Sequence, residues 1–197
     1  MNTRNELNRR ILLVDDELKI LDELSKVLAP REIGQELKEL ESRLFETSAS
    51  TIRSKKTYDV HCCHQGDEAC EAVRQAVDNG EPFAVAFLDV RMPPGPDGVW
   101  TAEHIRKIDP NIQIVMMTGY SDFDISEIAR RVPPEDKLLY VQKPIHSQEI
   151  RQFALALTAK WQSDYLLHIQ NEHLTEMNKK LVEHDRMKSE FVMTVSH

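Results

Sequence analysis

Residues that could bind a metal ion and take part in phosphoryl chemistry stand at the ends of short apolar runs in this sequence. An acidic pair follows the first run, a single aspartate the third, a threonine the fourth, and a lysine lies just beyond the fifth. These residues are Asp15, Asp16, Asp89, Thr118 and Lys143. In open parallel sheets, ligands bind outside the carboxyl ends of the strands, so side chains at these positions should converge on one cleft.

The residue types in this cleft predict a particular chemistry. Three carboxylates repel one another and require a cation, and hard oxygen ligands are those that Mg²⁺ prefers. Asp89 is then the expected nucleophile, which forms an acyl phosphate, while Asp15 and Asp16 hold the metal. The Thr118 hydroxyl can donate to one phosphoryl oxygen and the Lys143 ammonium can neutralise another. The pattern therefore predicts Mg²⁺-dependent transfer of a phosphoryl group to Asp89.

Five apolar runs alternate with five helical patterns along the chain. The strand candidates are residues 11–14, 58–63, 83–88, 112–117 and 138–141. Helical periodicity covers residues 18–28, 67–77, 98–108, 122–132 and a segment from residue 147 onward. Short continuous apolar runs are typical of strands buried on both faces, as in parallel sheets. The alternation predicts an α/β fold with a doubly wound, five-stranded parallel sheet.

A surplus segment, residues 31–56, separates the first helix from the second strand. Its apolar residues have the spacing of one face of an amphipathic helix: Ile33, Leu37, Leu40 and Leu44. We interpret the segment as a helical insert, either an extension of the first helix or an extra helical hairpin, that packs on its own domain, with partner binding as the alternative.

Cysteine and histidine residues cluster around the second predicted strand, where Cys62, Cys63 and Cys70 lie close to His61 and His64. A zinc site needs ligands that converge, whereas successive side chains of a strand point to opposite faces. We therefore expect free structural cysteines here rather than a metal or redox site.

The sequence after residue 147 contains neither glycine nor proline, which favours one long helix. A first apolar stripe predicts that the start of this helix packs on the sheet: Ile150, Phe153, Ala154, Leu157 and Trp161. A heptad pattern follows, with leucine and asparagine alternating along one seam: Leu167, Asn171, Leu174, Asn178 and Leu181. Leucine at d with asparagine at a favours a parallel two-stranded coiled coil. We expect a homodimer through this helix, with a solvated single helix as the alternative.

Four motifs in this order resemble the response-regulator receiver family of two-component signalling. They are residues 11–17 (ILLVDDE), 88–93 (LDVRMP), 117–120 (MTGY) and 141–144 (VQKP), and the similarity extends over about residues 9–160. The resemblance implies a flavodoxin-like strand order of 2-1-3-4-5 and a phosphohistidine as the phosphodonor. It also implies a cis peptide bond between Lys143 and Pro144.

The resemblance further implies roles for individual residues. Asp16, Asp89 and the backbone carbonyl of Arg91 would contact Mg²⁺, with Asp15 acting partly through water. Thr118 and Tyr140 would form the switch that responds to phosphorylation. One departure lies in the loop after Asp89, where Pro94-Gly95-Pro96 replaces the usual two residues and makes the loop longer and stiffer.

The last residues resemble the opening of a histidine-kinase dimerisation helix, on the run 185–191 (DRMKSEF) and the pair Ser196-His197. In that family the histidine accepts phosphate from ATP, so His197 is a candidate second phosphosite. We expect a receiver domain over residues 1–160 and a coiled-coil signalling helix over residues 161–197 that enters such a segment. Because the sequence lacks an ATP-binding domain, this chain is not expected to be a kinase alone, although its parent protein would be one.

Composition narrows the choice of partners. The net charge of −8 argues against general nucleic-acid binding, which needs a basic surface. No apolar stretch reaches the roughly 20 residues that span a bilayer, and a cytoplasmic location without direct membrane contact is expected.

Other functional classes fit the sequence less well. A haloacid-dehalogenase-like phosphatase requires Asp-x-Asp after its first strand, whereas this run is Asp15-Asp16-Glu17. A transcriptional regulator needs a basic or helix-turn-helix output module, and a scaffold with an inactive receiver would not need every site residue. We expect a phosphorelay receiver that takes its phosphoryl group from a histidine kinase or phosphotransfer protein and relays the change through the coiled coil to a histidine-kinase module. The alternative is a stand-alone receiver and dimerisation module that controls a different output domain.

Overall fold

A computed structural model of the protein describes residues 7–29, 57–119 and 125–195, with side chains described up to residue 184. The predicted insert of residues 31–56 and the candidate phosphosite His197 lie outside these ranges.

Five parallel strands form a single sheet in the order β2-β1-β3-β4-β5. The strands are β1 Arg10–Val14, β2 Asp59–Cys63, β3 Val85–Asp89, β4 Gln113–Thr118 and β5 Leu138–Gln142. The ends of the central strands are aligned, because Val14 pairs with Leu88 and Leu88 pairs with Met116. The predicted fold class and strand order are confirmed, with strand boundaries shifted by one or two residues.

Five α-helices connect and follow these strands. They are α1 Leu18–Leu28, α2 Gly66–Asp78, α3 Gly98–Ile108, α4 Ile125–Arg131 and α5 Ser147–Val195, with a short 3₁₀ helix at Glu135–Lys137. The described part of α4 starts three residues after the predicted helix, because residues 122–124 are outside the described ranges. Among the described residues, no helix is apolar over a length that could cross a bilayer.

The core consists of two layers, one on each face of the sheet. Because side chains alternate along a strand, Leu12 and Val14 of β1 enter one layer while Ile11 and Leu13 enter the other. Helices α2, α3 and α4 cover the first layer. Helices α1 and α5 cover the second, and the predicted α5 stripe is found there: Ile150, Phe153, Ala154, Leu157 and Trp161.

The end of α1 and the start of β2 lie next to each other at the amino edge of the sheet. The Tyr58 backbone N–H donates to the Leu28 carbonyl at 3.3 Å, so the end of α1 and the residue before β2 are hydrogen-bonded directly.

The chain divides into two compact units, Met1–Trp161 and Gln162–His197. In the second unit, the leucines of the heptad seam are exposed: Leu167 by 57%, Leu174 by 57% and Leu181 by 62%. The predicted coiled coil therefore stays a prediction, and these exposed leucines are the surface that a partner helix would cover.

Candidate functional site

Three carboxylates meet at the carboxyl edge of the sheet. Asp15 and Asp16 follow the last residue of β1, and Asp89 is the last residue of its neighbour β3. Each offers an oxygen, and these three atoms lie within 4.8 Å of one another. Parallel pairing of β1 with β3 produces this convergence, since it aligns the carboxyl ends of both strands.

Asp15 is fully buried and fixed through both of its carboxylate oxygens. Its Oδ1 accepts a hydrogen bond from the Glu17 backbone N–H at 2.9 Å. Its Oδ2 accepts one from the Lys143 ammonium at 2.6 Å, across 128 residues of sequence. A buried carboxylate needs such partners, because an unpaired charge in the interior is costly.

Lys143 links two of the carboxylates. Its Nζ lies 2.6 Å from Asp15 Oδ2 and 3.0 Å from Asp89 Oδ1. Burial alone would lower the pKa of Lys143, but the hydrogen bonds to Asp15 and Asp89 outweigh it and leave that pKa raised. Lys143 is therefore a permanent cation at neutral pH, held between two acids.

The pKa of the Asp89 carboxyl is shifted by its surroundings. Burial raises the pKa of its carboxyl, and this effect outweighs the hydrogen bond and charge of Lys143, which lower it. Its Oδ1 accepts from the Val90 backbone N–H at 2.9 Å and also faces Lys143. Both of these contacts fall on one oxygen, so the other oxygen of Asp89 remains available for chemistry.

Thr118 and Lys143 are tied together by the sheet. Thr118 is the last residue of β4 and pairs with Gln142 of β5. Its carbonyl accepts a 2.7 Å hydrogen bond from the Lys143 backbone N–H. The Lys143–Pro144 peptide bond is cis, as predicted.

Tyr140 lies on β5, three residues before Lys143, and is half-buried against the first core layer. Its hydroxyl donates to the Ile125 carbonyl at the start of α4 at 3.4 Å. Burial raises the pKa of Tyr140. This side chain therefore connects β5 to α4.

The donor set fits Mg²⁺. Among the described residues, Asp15, Asp16 and Asp89 are the group of acidic, histidine or cysteine side chains close enough to share one ion. Their oxygens are hard ligands of the type that Mg²⁺ takes, and one lysine leaves the carboxylates in excess. Arg91, whose carbonyl was expected to bind the metal, stands two residues beyond Asp89 with an exposed side chain.

Gly98 is a site-forming residue that the sequence reasoning did not single out. A Cβ atom at Gly98 would lie well under 3.0 Å from the backbone oxygen of Asp89, so α3 can start against β3 only without a side chain there. Asp97 caps the same helix by accepting from the Trp100 N–H at 2.7 Å. The adjacent Asp-Gly pair was the signal available in the sequence, since Asp is a favoured N-cap.

The cysteine cluster does not form a site of this kind. Neighbouring Cys62 and Cys63 enter opposite core layers. Burial raises the pKa of Cys63 to about 12 and that of Cys70 to about 11, so both thiols stay protonated. All three cysteines are free, which agrees with a structural role.

Comparison with known proteins agrees with this geometry. The family model described as "Response regulator receiver domain" matches residues 40–155, a range that includes Asp89, Thr118 and Lys143. Asp15 and Asp16 precede the matched range, and it is the structure that brings β1 and its acidic pair to the site.

Relatives and solved structures extend the comparison. The chain is 26% identical over 149 residues to the photosynthetic apparatus regulatory protein RegA of Cereibacter sphaeroides, covering 76% of this chain but only 62% of that protein. It is 24% identical over 145 residues to sporulation initiation phosphotransferase F of Bacillus subtilis, covering 74% of this chain and 90% of the relative. A CheY-like receiver from Methanospirillum hungatei superposes with a TM-score of 0.56 at 20% identity, covering 79% of this chain and 98% of that one. With the strand order, these findings show that the chain belongs to the response-regulator receiver family and is the receiver domain of a two-component system.

Proposed function

We propose that this receiver accepts a phosphoryl group on Asp89 from the phosphohistidine of a histidine kinase or phosphotransfer protein. The observation that carries the proposal is the position of Asp89, a buried carboxylate that faces a lysine, a second buried aspartate and a backbone N–H. Buried acids with raised pKa values in such clusters are typical of functional sites.

The transfer exchanges one bond to phosphorus for another. The free oxygen of Asp89 attacks the phosphorus atom, and an oxygen–phosphorus bond forms. The phosphorus–nitrogen bond to the donor histidine breaks, and its electron pair stays on the departing imidazole. Because Asp89 must be ionised to attack, its raised pKa requires a pH above that pKa for full activity.

Neighbouring residues stabilise the charge that the phosphoryl group brings. Lys143 already reaches Asp89 Oδ1 at 3.0 Å, and its ammonium can turn to a phosphoryl oxygen while staying near Asp15. Thr118, held beside Lys143 by the backbone, supplies a hydroxyl donor.

We assign the metal ligands to Asp16, Asp89 and the Arg91 carbonyl, with Asp15 acting partly through water. Mg²⁺ bound there would neutralise charge on the transferred group. The excess of carboxylates over cations among these residues supports this assignment.

Intact-mass analysis after incubation with acetyl phosphate and Mg²⁺ tests the acceptor. Wild type should gain the mass of one phosphoryl group and Asp89→Asn should gain none, because its amide cannot attack. Asp78→Asn, at an exposed aspartate that ends α2, is the matched control and should label like wild type. Labelling of Asp89→Asn at the wild-type level would contradict the assignment.

For the output, we propose a receiver domain over residues 1–160 and a coiled-coil signalling helix over residues 161–197, which forms a parallel homodimer through residues 167–195. Exposed leucines in the heptad seam, with Asn171 and Asn178 between them, support this pairing. Phosphorylation would act through Thr118 and Tyr140 on the helix, and from there on a histidine-kinase module that begins near the second phosphosite His197. We also propose a cytoplasmic location without nucleic-acid or membrane contact. A stand-alone receiver that controls another output domain is the second candidate.

Distance measurement between spin labels at Glu183→Cys, with the native cysteines replaced, tests the dimer and the relay together. A short, defined distance between protomers should appear, and it should change when Mg²⁺ and beryllofluoride are added. Leu174→Glu is the control and should abolish the distance, since it places a charge in the seam. A dimer whose distance is the same with and without beryllofluoride would contradict the relay, and no defined distance would contradict the dimer.

A further inference from the structure

The loop between β3 and α3, residues 91–97, is fixed at its base next to Asp89. The Gly98 N–H donates to the Val90 carbonyl at 3.0 Å, which closes the loop. The Val90 N–H donates in turn to the Met117 carbonyl of β4, also at 3.0 Å. This loop contains Arg91, whose carbonyl we assign to the metal, so its conformation decides where that carbonyl lies.

Gly95, in the middle of this loop, contacts the side chain of Gln65, which lies between β2 and α2. A Cβ atom at Gly95 would lie well under 3.0 Å from Gln65 Oε1 and 3.1 Å from Gln65 Cδ. One residue further, a Cβ atom at Gly66 would collide with the Thr101 hydroxyl in the first turn of α3. The connection between β2 and α2 thus meets the loop and the helix that follows it.

The Gln65 side chain does not cap the helix that it precedes. It precedes α2 as the N-cap, where a side chain usually accepts from the first free N–H groups, but it makes no such hydrogen bond. Its Oε1 is buried, and the described residues provide no hydrogen-bond donor for it.

The residue types at positions 94–96 bear on what the contact with Gln65 does for the loop. Pro94 and Pro96 have fixed φ angles and flank Gly95, which has no side chain of its own to pack. Gly95 does not adopt a positive φ. A methyl group at Gly95 would therefore displace the end of the Gln65 side chain, while the backbone conformation itself permits alanine.

We propose that Gln65 is a positioning residue that braces Gly95 and so holds the β3–α3 loop with the Arg91 carbonyl toward the carboxylates. The proposal rests on the proposed function, because it takes the Arg91 carbonyl as a metal ligand. Residues that orient metal ligands from outside the coordination sphere commonly affect metal affinity strongly.

Isothermal titration of this 197-residue chain with Mg²⁺ alone measures the effect without any phosphoryl transfer. Gln65→Ala removes the brace and Gly95→Ala pushes against it, and each should weaken Mg²⁺ binding about tenfold or more. The double variant should recover much of the loss, because the new methyl group occupies space that the missing carboxamide leaves. Gln65→Met, which keeps the length of the side chain, should bind Mg²⁺ close to wild type.

Gln75→Ala is the matched control, since this glutamine lies exposed on the same helix and donates to Glu71. It should bind Mg²⁺ like wild type. Thermal unfolding without Mg²⁺ reports whether each variant is folded. Wild-type affinity in both Gln65→Ala and Gly95→Ala, or no recovery in the double variant, would overturn the positioning role. Failure of wild type itself to bind Mg²⁺ would instead contradict the proposed function.

Discussion

Charged side chains are buried at both ends of the sheet, and the two ends differ in how their charge is balanced. At the amino edge, the Arg106 guanidinium donates to the carbonyls of Pro110, Ile112 and Lys137 at 3.1, 2.6 and 3.0 Å. Burial lowers the pKa of Arg106, and the negative charge of the nearby buried Asp109 carboxylate offsets part of this effect. One buried cation therefore faces one buried acid, with loop carbonyls around it.

At the carboxyl edge, three carboxylates meet, and the Lys143 ammonium contacts two of them, Asp15 and Asp89. The amino edge uses buried charge to hold loops in place, and its charges are matched within the chain. The carboxyl edge keeps an excess of negative charge, which a bound cation can balance. This difference distinguishes a structural network from a site that binds a ligand.

The largest effect is expected from Lys143→Ala at the carboxyl edge. Loss of the ammonium removes a donor to the phosphoryl group, so the rate of phosphorylation by acetyl phosphate should fall about 10²–10³-fold. The rate is measured by intact mass over time. Lys137→Ala is the control, because this lysine donates to Pro110 and Asn111 at the amino edge. Equal rates in the two variants would remove the functional distinction between the edges.

Arg106→Met at the amino edge is expected to have a smaller effect, and to change stability rather than the phosphorylation rate. It leaves the carbonyls of Pro110, Ile112 and Lys137 without this donor and should lower the free energy of unfolding by about 2 kcal/mol. Urea denaturation measures the change, and the folded variant should be phosphorylated at the wild-type rate. A slower rate with unchanged stability would show that the amino edge contributes to chemistry after all.

The smallest effect is on stability at the site itself. Burial raises the pKa of Asp89 in the folded protein, so the charged carboxylate destabilises the fold at neutral pH. Without Mg²⁺, Asp89→Asn should therefore raise the free energy of unfolding by on the order of 1 kcal/mol, the scale of many single substitutions.

The pH dependence of that gain follows from the direction of the shift. Below the unfolded pKa of Asp89 the carboxyl is protonated in both states, so the advantage of Asp89→Asn should fade as the pH falls into the acid range. Urea denaturation at several pH values measures it, with Asp78→Asn as an exposed control. A variant less stable than wild type at neutral pH would mean that Lys143 stabilises the Asp89 carboxylate more than burial destabilises it.

The convergence of the site was predictable because topology alone produces it. Once β1 ends just before Asp15, and β3 and β4 end at Asp89 and Thr118, parallel pairing brings those ends to one edge, with Lys143 next to them. The same reasoning could not find Gly98 or Gln65. Their roles depend on where a Cβ atom or a carboxamide lies in space, and no periodicity in the sequence records such a distance.

The sequence also could not predict that Lys143 forms its hydrogen bond with Asp15 rather than with Asp16. Asp15 and Asp16 are adjacent and chemically identical, and only their directions after β1 decide which is buried and which is half-exposed. Helix boundaries were easier, and α1 and α3 begin and end at the predicted residues.

The hydrogen bond between Tyr58 and Leu28 has a consequence for how this domain can evolve. It joins the end of α1 to the residue before β2, at the edge of the sheet opposite the acidic cluster. Extra sequence can therefore be spliced in or removed there without changing the strand register that builds the site. Lengthening a chain segment whose flanking residues already meet adds little entropic cost. The sequence between Leu28 and Tyr58 can therefore change in length while the acidic site at the other end of the sheet keeps its geometry.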